Sequence, residues 1–144
     1  MRRVIPANKV NHDYEKVLSE FVSALKNRLG EYLLMVYLTG SYARGDANDN
    51  SDLDVFCIFS TINQYVLENV GHCARNTSIP YDLLEINTQC LSVDEYKSKI
   101  FEDWSEYAIA ELNSVLLYGE QLVKIENINE KIQLSYKKNL ANIL

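Results

Sequence analysis

Two aspartates separated by one residue, Asp52 and Asp54, stand directly before the apolar run Val55-Phe56-Cys57-Ile58-Phe59. On an extended strand alternate side chains share a face, so both carboxylates project the same way and Leu53 points to the other side. Their α-carbons would lie roughly 6.5 Å apart at the usual strand rise. Carboxylates so placed can converge on a hard cation, and Mg²⁺ commonly combines one or two of them with phosphate oxygens. Without a cation the two like charges repel, which costs stability unless something positive binds there. Alone, such a pair is more often a solvated turn ahead of a strand. Its weight here comes from Gly40-Ser41, twelve residues upstream of Asp52. A glycine there permits a sharp turn and close approach of backbone to a ligand. Ser41 offers a hydroxyl and an N–H near a possible helix start, a setting that favours phosphate. Arg44 could neutralise phosphate or pair with Asp46 or Asp49, and Gly45 keeps the loop compact.

These residues need elements to hold them. Apolar residues at Tyr14, Val17, Leu18, Phe21, Val22, Leu25 and Leu29 have helical spacing, predicting a helix over about 11–29 that Asn11 or Asp13 caps and Gly30 stops. Tyr32 to Leu38 reads as a buried strand, Thr39 to Ser51 as a loop with a short helix near Ser41, and Leu53 to Phe59 as a second strand. Thr61 is the expected cap of a helix running to about Arg75. Ile79 to Ile86 reads as a third strand. Ser92-Val93-Asp94-Glu95 has the form of a capping box. Helical patterning is then expected to about Leu117, a break at Gly119, and a last helix from about Asn129. This order describes an α+β fold, a small mixed β-sheet with helices packed on it. The chain reads as one domain over 1–144, with a core at about 11–90 and C-terminal helices at about 92–144.

The string Gly40-Ser41-Tyr42-Ala43-Arg44-Gly45 … Ser51-Asp52-Leu53-Asp54 resembles the signature of the DNA polymerase β-like nucleotidyltransferases. It looks closest to their minimal nucleotidyltransferase branch, relatives of the aminoglycoside nucleotidyltransferases. The likeness covers roughly residues 32 to 86, and its parts fall in the expected order of strand, turn and strand. The resemblance implies two-metal transfer of a nucleoside monophosphate, most simply AMP from ATP, to a hydroxyl. Asp52 and Asp54 would hold two Mg²⁺ ions, and Gly40, Ser41, Arg44 and Ser51 would line the nucleotide. The family also uses a third carboxylate from a neighbouring strand, which orients or deprotonates the attacking hydroxyl. Asp82 and Glu85 are the candidates; they differ in strand parity, and Asp82, followed by two leucines, fits the family's pattern better and would join Asp52 and Asp54 as a metal ligand. Many members of that branch are antitoxins that bind a helical HEPN-type partner and modify a tyrosine on it. A nucleotide-binding subunit without turnover, or an aminoglycoside-type enzyme, would carry the same signature.

Composition limits the alternatives. The 144 residues carry a net charge of −6, which argues against sequence-independent grip on duplex nucleic acid. Cys57, Cys73 and Cys90 are odd in number and widely spaced, so neither a disulfide framework nor a zinc site is suggested, and a reducing, cytoplasmic setting is expected. No run reaches transmembrane length, and no P-loop, dinucleotide fingerprint or His-Glu-x-x-His motif occurs. His12 and His72 have no catalytic context. The expected partners are a nucleoside triphosphate, a HEPN-type protein and a second copy of the chain, without a membrane or duplex nucleic acid.

Overall fold

A computed structural model describes residues 14–48, 50–81, 84–102 and 114–120. Helix α1 spans Tyr14–Leu29 and buries Val17, Leu18, Phe21, Leu25 and Leu29. Strand β1 covers Leu33–Thr39, the short helix α2 Gly40–Arg44, and strand β2 Leu53–Phe59. Helix α3 follows at Gln64–Ser78, strand β3 at Ile86–Ser92, helix α4 at Val93–Glu102 and strand β4 at Val115–Gly119. The four strands form one sheet in the order β3-β2-β1-β4. β1 runs antiparallel to β2 and β4, whereas β2 and β3 are parallel. The fold is thus the mixed α/β arrangement that the sequence patterning predicts.

The sheet packs on both sides, with different chemistry on each. Val36, Leu38, Leu53, Val55, Cys57 and Phe59 join the buried residues of α1 and α3, including Val66, Val70 and Cys73, in one apolar cluster. Each large aliphatic or aromatic side chain removed from water there contributes about 1.5–3 kcal/mol. The opposite face carries Tyr37 and Phe56, stacked with centroids 5.0 Å apart, and Tyr96 of α4 against Tyr37 at 6.5 Å. Asp54 shares this second face by alternation along β2.

Three boundaries differ from the sequence-based expectation. The cap of α3 is Asn63, whose side chain accepts the Val66 N–H at 2.9 Å, rather than Thr61. The third strand begins at Ile86, where Ile79 to Ile86 was the expected strand. Ile79 caps the C-terminus of α3, donating to Arg75 O at 3.1 Å, and the chain then turns through Tyr81 N–H to Ser78 O and Leu84 N–H to Tyr81 O. The segment Val115–Gly119, expected as a helix end leading to a short strand or turn, is strand β4 throughout at the sheet edge, where pairing with β1 overrides the helical rhythm of its first residues. The Ser92 capping box forms as anticipated: Ser92 N–H donates to Glu95 Oε1 at 3.3 Å, and Glu95 N–H to Ser92 Oγ at 3.1 Å. The expected caps Asn11 and Asp13, His12, Asp49 and the helix from Asn129 lie outside the described residues. No helix among the described residues is long and apolar enough to cross a membrane.

Cys57, Cys73 and Cys90 are free thiols. Cys57 and Cys90 face each other across the parallel β2–β3 pair. Their hydrogen bond, and then burial, push the Cys57 thiol well above its ordinary pKa, while the same bond lowers that of Cys90 against the effect of burial. The thiolate is the nucleophile in alkylation. Iodoacetamide at neutral pH is therefore expected to modify Cys90 before Cys57 and Cys73. Cys57→Val removes the donor, returns Cys90 toward its usual pKa and should slow that modification, as followed by peptide mapping. An unchanged rate would show that the bond does not govern Cys90.

Candidate active site

The site grows from the pairing of β1 with β2. These antiparallel strands bring Thr39, the last residue of β1, opposite Asp54 on β2. Gly40 and Ser41 follow Thr39 directly as the first turn of α2. Gly40 adopts φ 75°, in the left-handed region that favours glycine. A side chain there would also run into Asp54: an added Cβ would collide with Asp54 Oδ2 and lie 3.2 Å from its Cβ and Cγ. The glycine thus answers a backbone requirement and a spatial one together. Helix α2 ends at Gly45, φ 84°, whose N–H donates to Ser41 O at 3.0 Å, as does that of Asp46. Gly45 therefore closes the helix in the left-handed cap conformation.

The loop returns to β2 through a small closed turn. Ser51 Oγ accepts the Asn48 N–H at 2.9 Å, and Ser51 N–H donates to Asn48 O at 3.0 Å. Buried Ala47 and Tyr42 anchor the loop to the apolar cluster, with the Tyr42 ring 5.0 Å from that of Tyr14. Asp52 then lies exposed at the mouth of the strand and Asp54 half-buried beside it. Leu53 between them is fully buried, so the alternation inferred from Asp-Leu-Asp holds.

The remaining predicted residues fall in different places. Arg44 Nε lies 3.3 Å from Asp46 Oδ2, with the two side chains 51% and 63% exposed. An exposed pair of this kind contributes about 0–1 kcal/mol, too little to hold the guanidinium against a stronger anion. Asp82 lies outside the described residues. Glu85 immediately precedes β3, and its carbonyl accepts the Leu53 N–H at 2.8 Å. The parallel register pairs Leu53 with Ile86 and Asp54 with Asn87; extended back one step, it sets Glu85 beside Asp52. Asn87, which the sequence alone does not single out, stands beside the candidate site. Its Nδ2 donates to Asp54 Oδ1 at 3.0 Å. The alternation Ile86-Asn87-Thr88-Gln89 marks a strand, but only its register on β2 shows that Asn87 meets Asp54.

The donor set suits a hard cation. It consists of carboxylate oxygens at a strand end, beside a glycine turn that leaves backbone accessible, with no sulfur or imidazole among them. Among the described residues no group of three or more His, Cys, Asp or Glu side chains forms a self-sufficient metal cage. Two carboxylates leave the remaining positions of an octahedral ion for water or phosphate oxygens. Gly40→Ala is expected to destabilise the fold by about 1–2 kcal/mol through its left-handed backbone and to push the Asp54 carboxylate aside. Urea unfolding measures the first effect. A weaker shift of the unfolding midpoint by Mn²⁺ than in the wild type measures the second.

Residues 18–134 match the nucleotidyltransferase domain family. A Methanocaldococcus jannaschii protein provisionally named a protein adenylyltransferase is 39% identical over 54 residues, which are 38% of this chain and 54% of that protein. The chain thus spans about half the length of this curated relative. Among solved structures, a toxin–antitoxin complex with AMP-PNP has a chain that superposes with a TM-score of 0.55 at 16% identity, covering 88% of this chain and 97% of that one. The spectinomycin adenyltransferase AAD(9) of Enterococcus faecialis, with ATP and spectinomycin, superposes with a TM-score of 0.52 at 13% identity, covering 79% of this chain and 58% of that one. At such identities the likeness speaks for the fold. On the family match over most of its length, the chain belongs to the nucleotidyltransferase domain family.

Proposed function

We propose that this chain transfers AMP from ATP to a hydroxyl, and that the acceptor is a tyrosine on a helical HEPN-type partner in a cytoplasmic toxin–antitoxin pair. The observation that carries the reading is the Thr39–Asp54 pairing, which sets a glycine–serine turn against one member of an acid pair. The name of the Methanocaldococcus jannaschii relative supports a protein acceptor. The superposed structures, one a toxin–antitoxin complex with AMP-PNP and another an adenyltransferase with ATP, support an adenine nucleotide, and the first also a protein partner.

The chemistry follows from the residues. Gly40 and Ser41 offer backbone N–H groups and a hydroxyl to the β- and γ-phosphates. Arg44 and Ser51 stand on the same loop, and Arg44 can exchange its weak pair with Asp46 for phosphate charge. Asp52 and Asp54 would hold two Mg²⁺ ions. Bound there, these would neutralise the triphosphate and stabilise charge on the attacking and leaving oxygens. The acceptor oxygen forms a bond to the α-phosphorus, and the bond to the pyrophosphate oxygen breaks. The hydroxyl proton passes to a third carboxylate, Asp82 in this reading, with Glu85 as the alternative. A second reading is a nucleotide-binding subunit without turnover; the third acid separates the two, and Asp82 lies outside the described residues.

Labelled ATP and Mg²⁺ with the purified chain and its partner should give a labelled partner protein. Asp52→Asn or Asp54→Asn should lower that rate by at least about a hundredfold, since each removes metal-borne charge stabilisation worth several kcal/mol. No label on any acceptor, with nucleotide still bound, would select the binding reading.

Asp82→Asn should abolish transfer while nucleotide binding survives, and Glu85→Gln should cost less. The opposite ranking assigns the proton acceptor to Glu85.

A further inference from the structure

The Asp54 carboxylate is confined from two directions. Its Oδ2 side abuts Gly40, where no side chain would fit. Its Oδ1 accepts from Asn87 Nδ2 at 3.0 Å, across a backbone register that pairs the two residues directly. A carboxylate free to rotate about its side-chain torsions presents its oxygens in many directions, whereas one hydrogen-bonded at Oδ1 and set close against a glycine turn on its other side presents fewer. Asn87 is also neutral. A third carboxylate, at its position, would add like charge to the Asp52–Asp54 pair; the amide gives orientation without that cost.

We propose that Asn87 is a positioning residue that holds Asp54 in the orientation used to bind a divalent cation. The inference rests on the reading of Asp52 and Asp54 as cation ligands. Asn87 acts through Asp54, by the hydrogen bond to its Oδ1. Partners that orient a metal-binding carboxylate typically account for about 10–100-fold in metal affinity. A cross-strand hydrogen bond with only a structural role would change the unfolding temperature and leave cation affinity alone. Asn87 is exposed on an edge strand, so its replacement leaves the apolar clusters intact.

The test is titration of the nucleotide-free chain with Mn²⁺ alone, following the free-ion signal by electron paramagnetic resonance. Asn87→Leu removes the donor at similar size. Asn87→Thr, a good strand former too short to span the gap, serves if the leucine variant misfolds. Either variant should bind Mn²⁺ at least about tenfold more weakly with its circular dichroism unchanged. In the transfer assay the Mg²⁺ concentration for half-maximal rate should rise, and the rate at saturating Mg²⁺ should stay within a few-fold of wild type. Mn²⁺ affinity within twofold of wild type, alongside clear weakening by Asp54→Asn, overturns the role of Asn87 alone. If Asp54→Asn also binds as wild type does, the cation site itself is refuted and the inference falls with it.

Discussion

The antiparallel register of β1 on β2 is the constraint from which the candidate site follows. With Thr39 opposite Asp54, the turn after one strand meets the acid at the start of the next. A slip of one residue would reverse the faces of β2. Leu53 would then meet water, and Asp52 and Asp54 would enter the apolar cluster on α1 and α3. Burying two charges without partners is far more costly than exposing one leucine. The packing that stabilises the fold therefore also fixes the side of the sheet on which the carboxylates emerge.

The parallel pairing of β3 with β2 adds the second dimension. It lays Ile86, Thr88 and Cys90 on the side of Leu53, Val55 and Cys57, and Asn87 on the side of Asp54. The Asn87 amide thus reaches Asp54 Oδ1 from the flank while Gly40 closes in from the other. Helix α4 covers the same face farther along, through Tyr96 on Tyr37. Apolar packing occupies the middle of that face, and polar groups are left at its end.

What could be read in the sequence was what depends on near neighbours. The bounds of β2 agree with the run Leu53 to Phe59, and β1 with Tyr32 to Leu38 to within one residue at each end. Ser92 and Glu95 announced their reciprocal cap. The misplacements arise where a distant partner decides. Ile79 looks like a strand former but completes α3, and Val115–Gly119 is a strand because β1 offers an open edge. The acid pair and Gly40-Ser41 were legible from their types and spacing, and the structure brings Gly40 and Asp54 into contact. Asn87 was not, because nothing in local sequence tells which β3 residue meets Asp54.

The pairing of the strands also separates near from far along the chain. β1, α2 and β2 form one contiguous run from Leu33 to Phe59, whereas β4 returns to β1 from Val115. The entropy lost on closing a loop rises with its length, and distant contacts are correspondingly slow to form. The hairpin that unites Gly40 with Asp54 closes the shorter loop, and the edge strand must close the far longer one. Chain connectivity thus favours a folding order in which the acid pair meets its glycine before the sheet acquires its last strand.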